Sequence, residues 1–360
     1  MGGGVRIAAG LAAGGAMAWF VFRGTDWESV RIALMDAGRG WIAFALGCAF
    51  AGQFLRAQRL AYILRDHNTI KFREAFAATQ IGMLMNAVLP LRIGEGVRVL
   101  VLVRSGGIGL STAMAAAAVD RVTDMAALFV IVCTAVWASP TFDGIRIAPD
   151  MLQSSGAIIV PAAALTGIVA GLSAVLSIAL VGLLLVRTRP AAVTRIVRVL
   201  AAAAPRALAD PALSAVESFS RTAGQLASRR VMAGATAISV TAWACGIGSL
   251  FGLLSAFGLD VPWPAPFLIL SLIAAFVAAP LTPGLVGQYH VPVLAGVLLV
   301  NPNVDASTAK AATIIGHLLF LVPIGVLGVA ALLSTPLNAR DLIGGGAEGE
   351  AVARSTTAQT

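Results

Sequence analysis

Apolar residues fall in long unbroken blocks along this chain, without the alternation of a half-buried strand or the polar stripe of a soluble amphipathic helix. Six blocks cover residues 5–22, 41–64, 113–138, 158–186, 231–257 and 310–333. A hydrocarbon core about 30 Å thick takes roughly 20 helical residues, and an open sheet in lipid would leave backbone groups without partners. Each block therefore predicts a membrane-spanning helix. Two further blocks are irregular. Residues 75–91 are short for a span and end at Pro90; residues 266–300 are long, but Pro280, Thr282, Pro283, Gly284 and Gly287 break their middle.

The Lys/Arg content of the connections sets the expected topology. The 187–230 connection carries eight Arg and reads as a cytoplasmic loop, with short amphipathic helices around Arg195 and Arg198 broken at Pro205 and Pro211. Residues 65–74 (Arg65, Lys71, Arg73) and 92–110 (Arg92, Arg98, Arg104) also read as cytoplasmic, whereas 139–155 holds one Arg and 258–264 none. With 65–74 and 92–110 on one side, 75–91 must enter the membrane and return. The same count makes 266–300 dip in from the other side, as a re-entrant hairpin or as two crossings. The predicted fold is an all-α integral membrane protein with about six transmembrane helices plus two re-entrant or broken helical hairpins. It forms one polytopic domain over 1–338 with both termini cytoplasmic, and 339–360 reads as a disordered tail.

Composition agrees. The chain is 58% hydrophobic and 12% charged, half the usual share of about 25% charge, and its mean hydropathy is +0.90. The net charge is +8, and all but two of the 25 Lys+Arg are Arg. In a membrane protein such basicity marks loops facing anionic lipid. No basic run is interleaved with exposed aromatics, so nucleic acid is not an expected partner. Cys48, Cys133 and Cys245 lie far apart inside apolar blocks. That is neither a disulfide framework nor a metal spacing, and small buried residues are expected there. The first block mimics a secretory signal ending at Ala16-Met17-Ala18, but Gly10, Gly14 and Gly15 interrupt it and it runs on through Phe22. It reads as an uncleaved span.

Three constellations could carry chemistry. In the first, Asn86 and Pro90 precede Arg92, Glu95 and Arg98, which recur every three residues after the short block. On a helix they form a stripe in which Glu95 can pair either Arg, leaving one positive charge that suits an anionic headgroup; Arg can fork onto a phosphate. The second is Asp120-Arg121-Val122-Thr123-Asp124, inside an apolar span. Asp120 and Asp124 share a helix face, and such costly charges usually face a bundle interior or water; a purely structural ion-pair network is the competing reading. The third is Pro283-Gly284, Gly287, Gln288 and His290 in the broken block. A helix starting after such a break can bind anions, while a lone membrane His is commonly a hydrogen-bonded structural residue. Pro90-x-x-x-Gly94-Glu95 echoes Pro283-x-x-x-Gly287-Gln288, and paired broken elements entering from opposite sides point to an inverted repeat. Arg56 and Arg59, near the end of their span, are expected to snorkel to the interface.

These motifs are similar to those of the lysylphosphatidylglycerol synthase transmembrane family, over roughly residues 56–333. The matching residues are Asn86, Leu89-Pro90-x-Arg92-x-Gly94-Glu95-x-x-Arg98, Asp120-Arg121-x-x-Asp124 and Thr282-Pro283-Gly284-x-x-Gly287. The chain departs from the family at Asp120, where Glu is frequent, and at His290, where the third motif often ends in an acidic residue. The resemblance implies movement of a polar-headgroup lipid between leaflets: a phospholipid, aminoacyl-phosphatidylglycerol, a hopanoid or a polyprenyl-linked lipid. It also implies a bacterial cytoplasmic (inner) membrane location. The soluble synthase domain of bifunctional members has no counterpart after the last span, so this chain is not expected to be an enzyme.

The expected function is a flippase-like lipid transporter. Its headgroup path runs past Asn86, Pro90, Arg92, Glu95, Arg98, Asp120, Arg121, Asp124, Pro283, Gly284, Gly287, Gln288 and His290. No cofactor or metal is called for, and no Walker motif is present to bind ATP. Membrane lipids are the expected partners, with lipid-biosynthesis enzymes or a second copy of the chain as further candidates. Two competing readings are a non-transporting component of a lipid or envelope biosynthesis complex and a membrane-embedded lipid-linked glycosyltransferase.

Overall fold

A computed structural model describes residues 3–66, 70–89, 93–138, 145–147, 158–160, 228–259, 262–277, 282–301 and 303–335, with isolated positions between 167 and 226. The described residues form ten α-helices: α1 (Gly3–Phe22), α2 (Trp27–Asp36), α3 (Arg39–Ile63), α4 (Phe72–Val88), α5 (Ile93–Gly106), α6 (Leu110–Ala138), α7 (Arg229–Ala256), α8 (Ala265–Val277), α9 (His290–Val300) and α10 (Ala306–Ser334). The chain is an all-α multi-pass membrane protein. Among the described helices α3, α7 and α10 are long and apolar enough to cross a bilayer. Outward-facing Leu318, Val322, Val326, Val329 and Leu333 of α10 form a face suited to lipid contact. Residues 228–230 of the arginine-rich loop expected over 187–230 begin α7; the rest of that loop, apart from single positions, and the tail over 339–360 lie outside the described residues.

Four short helices build two hairpins. The arms α4, α5, α8 and α9 have 17, 14, 13 and 11 residues. At 1.5 Å per residue these are about 16 to 26 Å long, short of a core about 30 Å thick. One expectation is corrected here. Residues 92–110 read as a cytoplasmic connection, but Ile93–Gly106 is the returning arm of the first hairpin. The charges of that arm suggested a loop; in the fold they are met by charges on other helices.

The arms of the first hairpin touch backbone to backbone. A Cβ on Gly94 would collide with the Gly82 carbonyl and the Asn86 side chain, and a Cβ on Gly82 would lie 2.9 Å from Arg98 Cβ. Gly94→Ala must therefore spread the arms. A loss of about 1–3 kcal/mol is expected, read as a lower Tm of the detergent-solubilised protein, whereas Gly96→Ala meets nothing within 4 Å and should leave Tm nearly unchanged.

Hydrogen bonds fix which helix ends lie together. Gly38 N–H donates to the Ala256 carbonyl at 2.7 Å, joining the start of α3 to the end of α7. At the opposite end Tyr62 donates to Arg230 O at 3.4 Å and Arg73 to Ser334 O at 2.8 Å. Exposed Trp41, Trp137 and Trp263 stand at the first of these ends, as interfacial tryptophans do. Arg65, Arg73, Arg104, Arg229 and Arg230 belong to the second. The first hairpin enters from this arginine end and the second from the tryptophan end, and the turn between α8 and α9 reaches α4.

Each hairpin has its own apolar core. Ile81, Val97, Val101 and Leu102 pack with Leu60, Val119 and Val231. Leu268, Ile269, Leu272, Val293 and Val297 pack with Ala45, Ile131, Leu250 and Leu319. The long helices α3, α6 and α7 pass from one core to the other. Their polar residues fall between the two.

Three smaller expectations change. The block 158–186 does not begin as a helix: Ile158–Val160 pairs antiparallel with Ile145–Ile147. The cysteines are free, but none is buried, and Cys133 is exposed on α6. Helix α2 is an addition. Asp26 starts it by accepting from Glu28 and Ser29 N–H at 3.0 and 3.3 Å, while Trp27, Ile32 and Met35 stay exposed.

Candidate functional site

Three helices meet at one carboxylate, and a fourth is tied to its neighbours. Asp120 of α6 is fully buried. Arg59 of α3 grips it with two bonds, Nε to Oδ1 at 2.6 Å and Nη2 to Oδ2 at 3.0 Å. Arg98 of α5 adds Nη2 to Oδ2 at 2.7 Å. Arg59 Nη1 also reaches Asp124 Oδ1 at 2.5 Å and the Ser239 hydroxyl of α7 at 2.8 Å. Trp243 Nε1, one turn further along α7, donates to Asp124 Oδ1 at 3.1 Å. The i,i+4 spacing of Asp120 and Asp124 thus matches Ser239 and Trp243 on the neighbouring helix, so α6 and α7 run parallel in register. Burying these charges is costly, and the bidentate geometry with its extra hydrogen bonds is what offsets that cost.

A second, wetter layer lies beside the first. Arg121 pairs with Glu95 of α5 and is 3.9 Å from Asp124. Its side chain is 39% exposed and that of Glu95 29%, against 3% for Arg59. Asn86 Nδ2 donates to Glu95 Oε1 at 3.4 Å, while Arg98 stands 3.8 Å from the same carboxylate. Arg56, one turn before Arg59, is half-buried and forms no ion pair among the described residues. Its guanidinium sits 5.6 Å from the Trp243 ring centroid in space that Gly52 leaves open. Across both layers four guanidiniums, Arg56, Arg59, Arg98 and Arg121, face three carboxylates, Glu95, Asp120 and Asp124. Among the described residues one positive charge is in excess. Among the described residues the buried Nε of Arg98 and of Arg121 have no hydrogen-bond partner.

Arg59 is a correction to the sequence reading. It does not snorkel; it points inward and holds the network together. The signal was present in the two acidic residues of α6, which need cations from another helix if they are to lie inside an apolar bundle. Pro90 and Arg92 lie outside the described residues.

The second hairpin turns through a tight tip. Gly284, Leu285 and Gly287 all have positive φ, at 65°, 54° and 75°. At Gly287 a side chain would also strike the α1 backbone at Gly14 and Ala18 and the Met17 side chain, so only glycine lets the tip press on α1. His290 caps the turn: its Nδ1 accepts the Gly287 N–H at 3.0 Å, which requires the proton on Nε2. His317 of α10 lies 2.8 Å, through Nε2, from the Gly284 carbonyl; a carbonyl only accepts, so that nitrogen carries a proton too. The two imidazoles meet edge-on with centroids 4.5 Å apart. Gln288 donates to the Phe276 carbonyl and ties the two arms together. His317 was missed in the sequence, although an ionisable residue in mid-span is itself a signal.

The candidate residues therefore separate into two groups. Asn86, Glu95, Arg98, Asp120, Arg121 and Asp124 come together around the first hairpin. Pro283, Gly284, Gly287, Gln288 and His290 form the tip of the second.

Residues 7–328 match the family model of the lysylphosphatidylglycerol synthase TM region. Comparison with curated proteins gives no match.

Proposed function

The chain belongs to the lysylphosphatidylglycerol synthase transmembrane family, and from this premise we propose that it is a flippase-like transporter moving a polar-headgroup lipid between leaflets. Membership places it among membrane proteins of lipid and envelope function. The observation that carries the finer reading is the buried cluster with one guanidinium in excess beside a hairpin too short to cross. A lipid phosphodiester brings one negative charge and two oxygens that an Arg fork matches. Arg121 and Arg56 are the groups offered to it, since Arg59 and Arg98 are committed to Asp120. The headgroup would pass the wet layer of Arg121, Glu95 and Arg56 while its acyl chains stay in lipid. Such a passage is downhill or coupled to an ion.

In this reading the protein has no catalytic group and needs no cofactor. An enzyme using Asp120 and Asp124 as a carboxylate pair would need a free oxygen on Asp120, and both are held by arginines. The arginine end would face the cytoplasm of a bacterial inner membrane.

Native mass spectrometry of the purified protein tests the headgroup assignment. The wild type is expected to retain anionic phospholipid over zwitterionic lipid. Arg56→Gln with Arg121→Gln is expected to lose that preference by about tenfold, the worth of one charge-assisted hydrogen bond. Equal retention of both lipid classes by the wild type would sink the assignment.

A further inference from the structure

Arg56 and Asp124 stand in one layer of the bundle and do not pair. On α3, Arg56 lies one turn nearer the tryptophan end than Arg59. On α6 and α7, Asp124 and Trp243 lie one turn nearer that end than Asp120 and Ser239. Arg59 meets Asp120 and Ser239, so Arg56, Asp124 and Trp243 share the next layer. A guanidinium and a carboxylate this deep in an apolar bundle gain from pairing, since each is costly alone. Asp124 nevertheless bonds to Arg59 and to Trp243, and Arg56 to no carboxylate among the described residues.

Trp243 touches both groups. Its Nε1–H donates to Asp124 Oδ1 at 3.1 Å, and its ring centroid lies 5.6 Å from Arg56 Cζ. The indole meets the carboxylate with its edge and the cation with its face. The other side of the Arg56 seat is its own helix: a Cβ on Gly52 would lie 3.1 Å from Arg56 Nη1, so the side chain folds back over a position that has no side chain. A ring face attracts a cation through its quadrupole and adds no net charge. Arg56 is thus held in place and keeps its whole charge.

We propose that Trp243 is a positioning residue that keeps the Arg56 guanidinium off Asp124, so that the site stays positive and Arg56 stays open to a headgroup phosphate. This role rests on the headgroup assignment above. Asp124 Oδ1 is shared between Arg59 and Trp243, and Oδ2 stands 3.9 Å from Arg121. With the indole removed, Asp124 loses a donor and Arg56 loses its seat, and the two neutralise each other. The number of charges in the cluster is then unchanged. What is lost is the guanidinium that no carboxylate of the cluster holds.

The test is native mass spectrometry of the full chain offered equal amounts of phosphatidylglycerol and phosphatidylcholine with matched acyl chains. Trp243→Leu is expected to lower the preference for phosphatidylglycerol about fivefold, the worth of one cation–π seat. Trp243→Phe keeps a ring beneath Arg56 and loses only the N–H; a fall of about threefold is expected. The Asp124→Asn background separates positioning from packing. It offers Arg56 no carboxylate to fall onto, so there Trp243→Leu is expected to change the preference by less than about twofold. Thermal unfolding reports which variants are folded, and if Trp243→Leu is not, Trp243→Phe in both backgrounds carries the comparison. A preference left unchanged by the Trp243 substitutions, or an equal fall in both backgrounds, overturns the proposal; the second result means that the indole acts by packing alone. Either leaves the headgroup assignment standing, because the wild type still prefers phosphatidylglycerol. A wild type without that preference overturns the headgroup assignment and the role of Trp243 with it.

Discussion

Asp120→Ala is expected to destabilise the protein by about 3–5 kcal/mol, the cost of leaving a buried charge without its partner. Asp120 holds two arginines at once, and neither can reach water: Arg59 and Arg98 are 2% and 4% exposed. Arg59 would keep Asp124 and Ser239; Arg98 would keep only Glu95, at 3.8 Å. A typical domain has about 5–15 kcal/mol of stability in all, so a large fall in Tm should follow. Asp120→Asn preserves shape and one acceptor and should fall between. The pairing itself is read by a double-mutant cycle. Arg98→Met in the Asp120→Ala background should cost less than in the wild type, because the charge it removes is already unpaired. Thermal unfolding of the four proteins in one detergent measures this. A wild-type Tm for Asp120→Ala would mean that the cluster does not hold α3, α5 and α6 together.

Much of the architecture was legible in the chain because lipid imposes a simple rule on length. The apolar blocks at 41–64, 231–257 and 310–333 coincide with α3, α7 and α10 within a few residues. The breaks at Pro283, Gly284 and Gly287 marked the second tip, where positive φ and close approach to α1 require glycine. What failed was any inference that depended on a partner from another helix. Arg59 near the end of a span has the same spacing whether it snorkels or turns inward, and only Asp120 decides between them. Arg98 and Glu95 made α5 look like a loop for the same reason: their counter-charges lie on α6. His317 stands alone in its block, and its meaning appears only when the Gly284 carbonyl is brought to it. The constellations at 86–98 and 120–124 were recognised separately. That they are one cluster, with Arg98 serving structure and Arg121 left half-exposed, is a fact of packing.

That division of labour gives the second prediction its form. Substituting Arg98 would damage the fold and the path together and so say little about transport. Arg121 and Arg56 lie outside the Asp120 clamp, and their neutralisation removes the excess positive charge while Arg59 and Arg98 stay paired. Arg56→Gln with Arg121→Gln leaves Glu95 and Asp124 less compensated, so the local field turns from attracting an anion to repelling it. Each charge-assisted contact is worth about 1.5–3 kcal/mol, and a drop in anionic-lipid movement of at least about tenfold is expected. A zwitterionic lipid, with no net charge to match, should be affected less.

The most direct measurement is leaflet exchange of a fluorescent anionic phospholipid in liposomes holding the purified protein, read by a quencher that does not cross the bilayer. The wild type should move the lipid between leaflets faster than protein-free liposomes, and the Arg56→Gln, Arg121→Gln protein, folded with a near-native Tm, should be at least about tenfold slower. Exchange by the wild type no faster than in protein-free liposomes, or wild-type exchange by the doubly neutralised protein, would contradict the account.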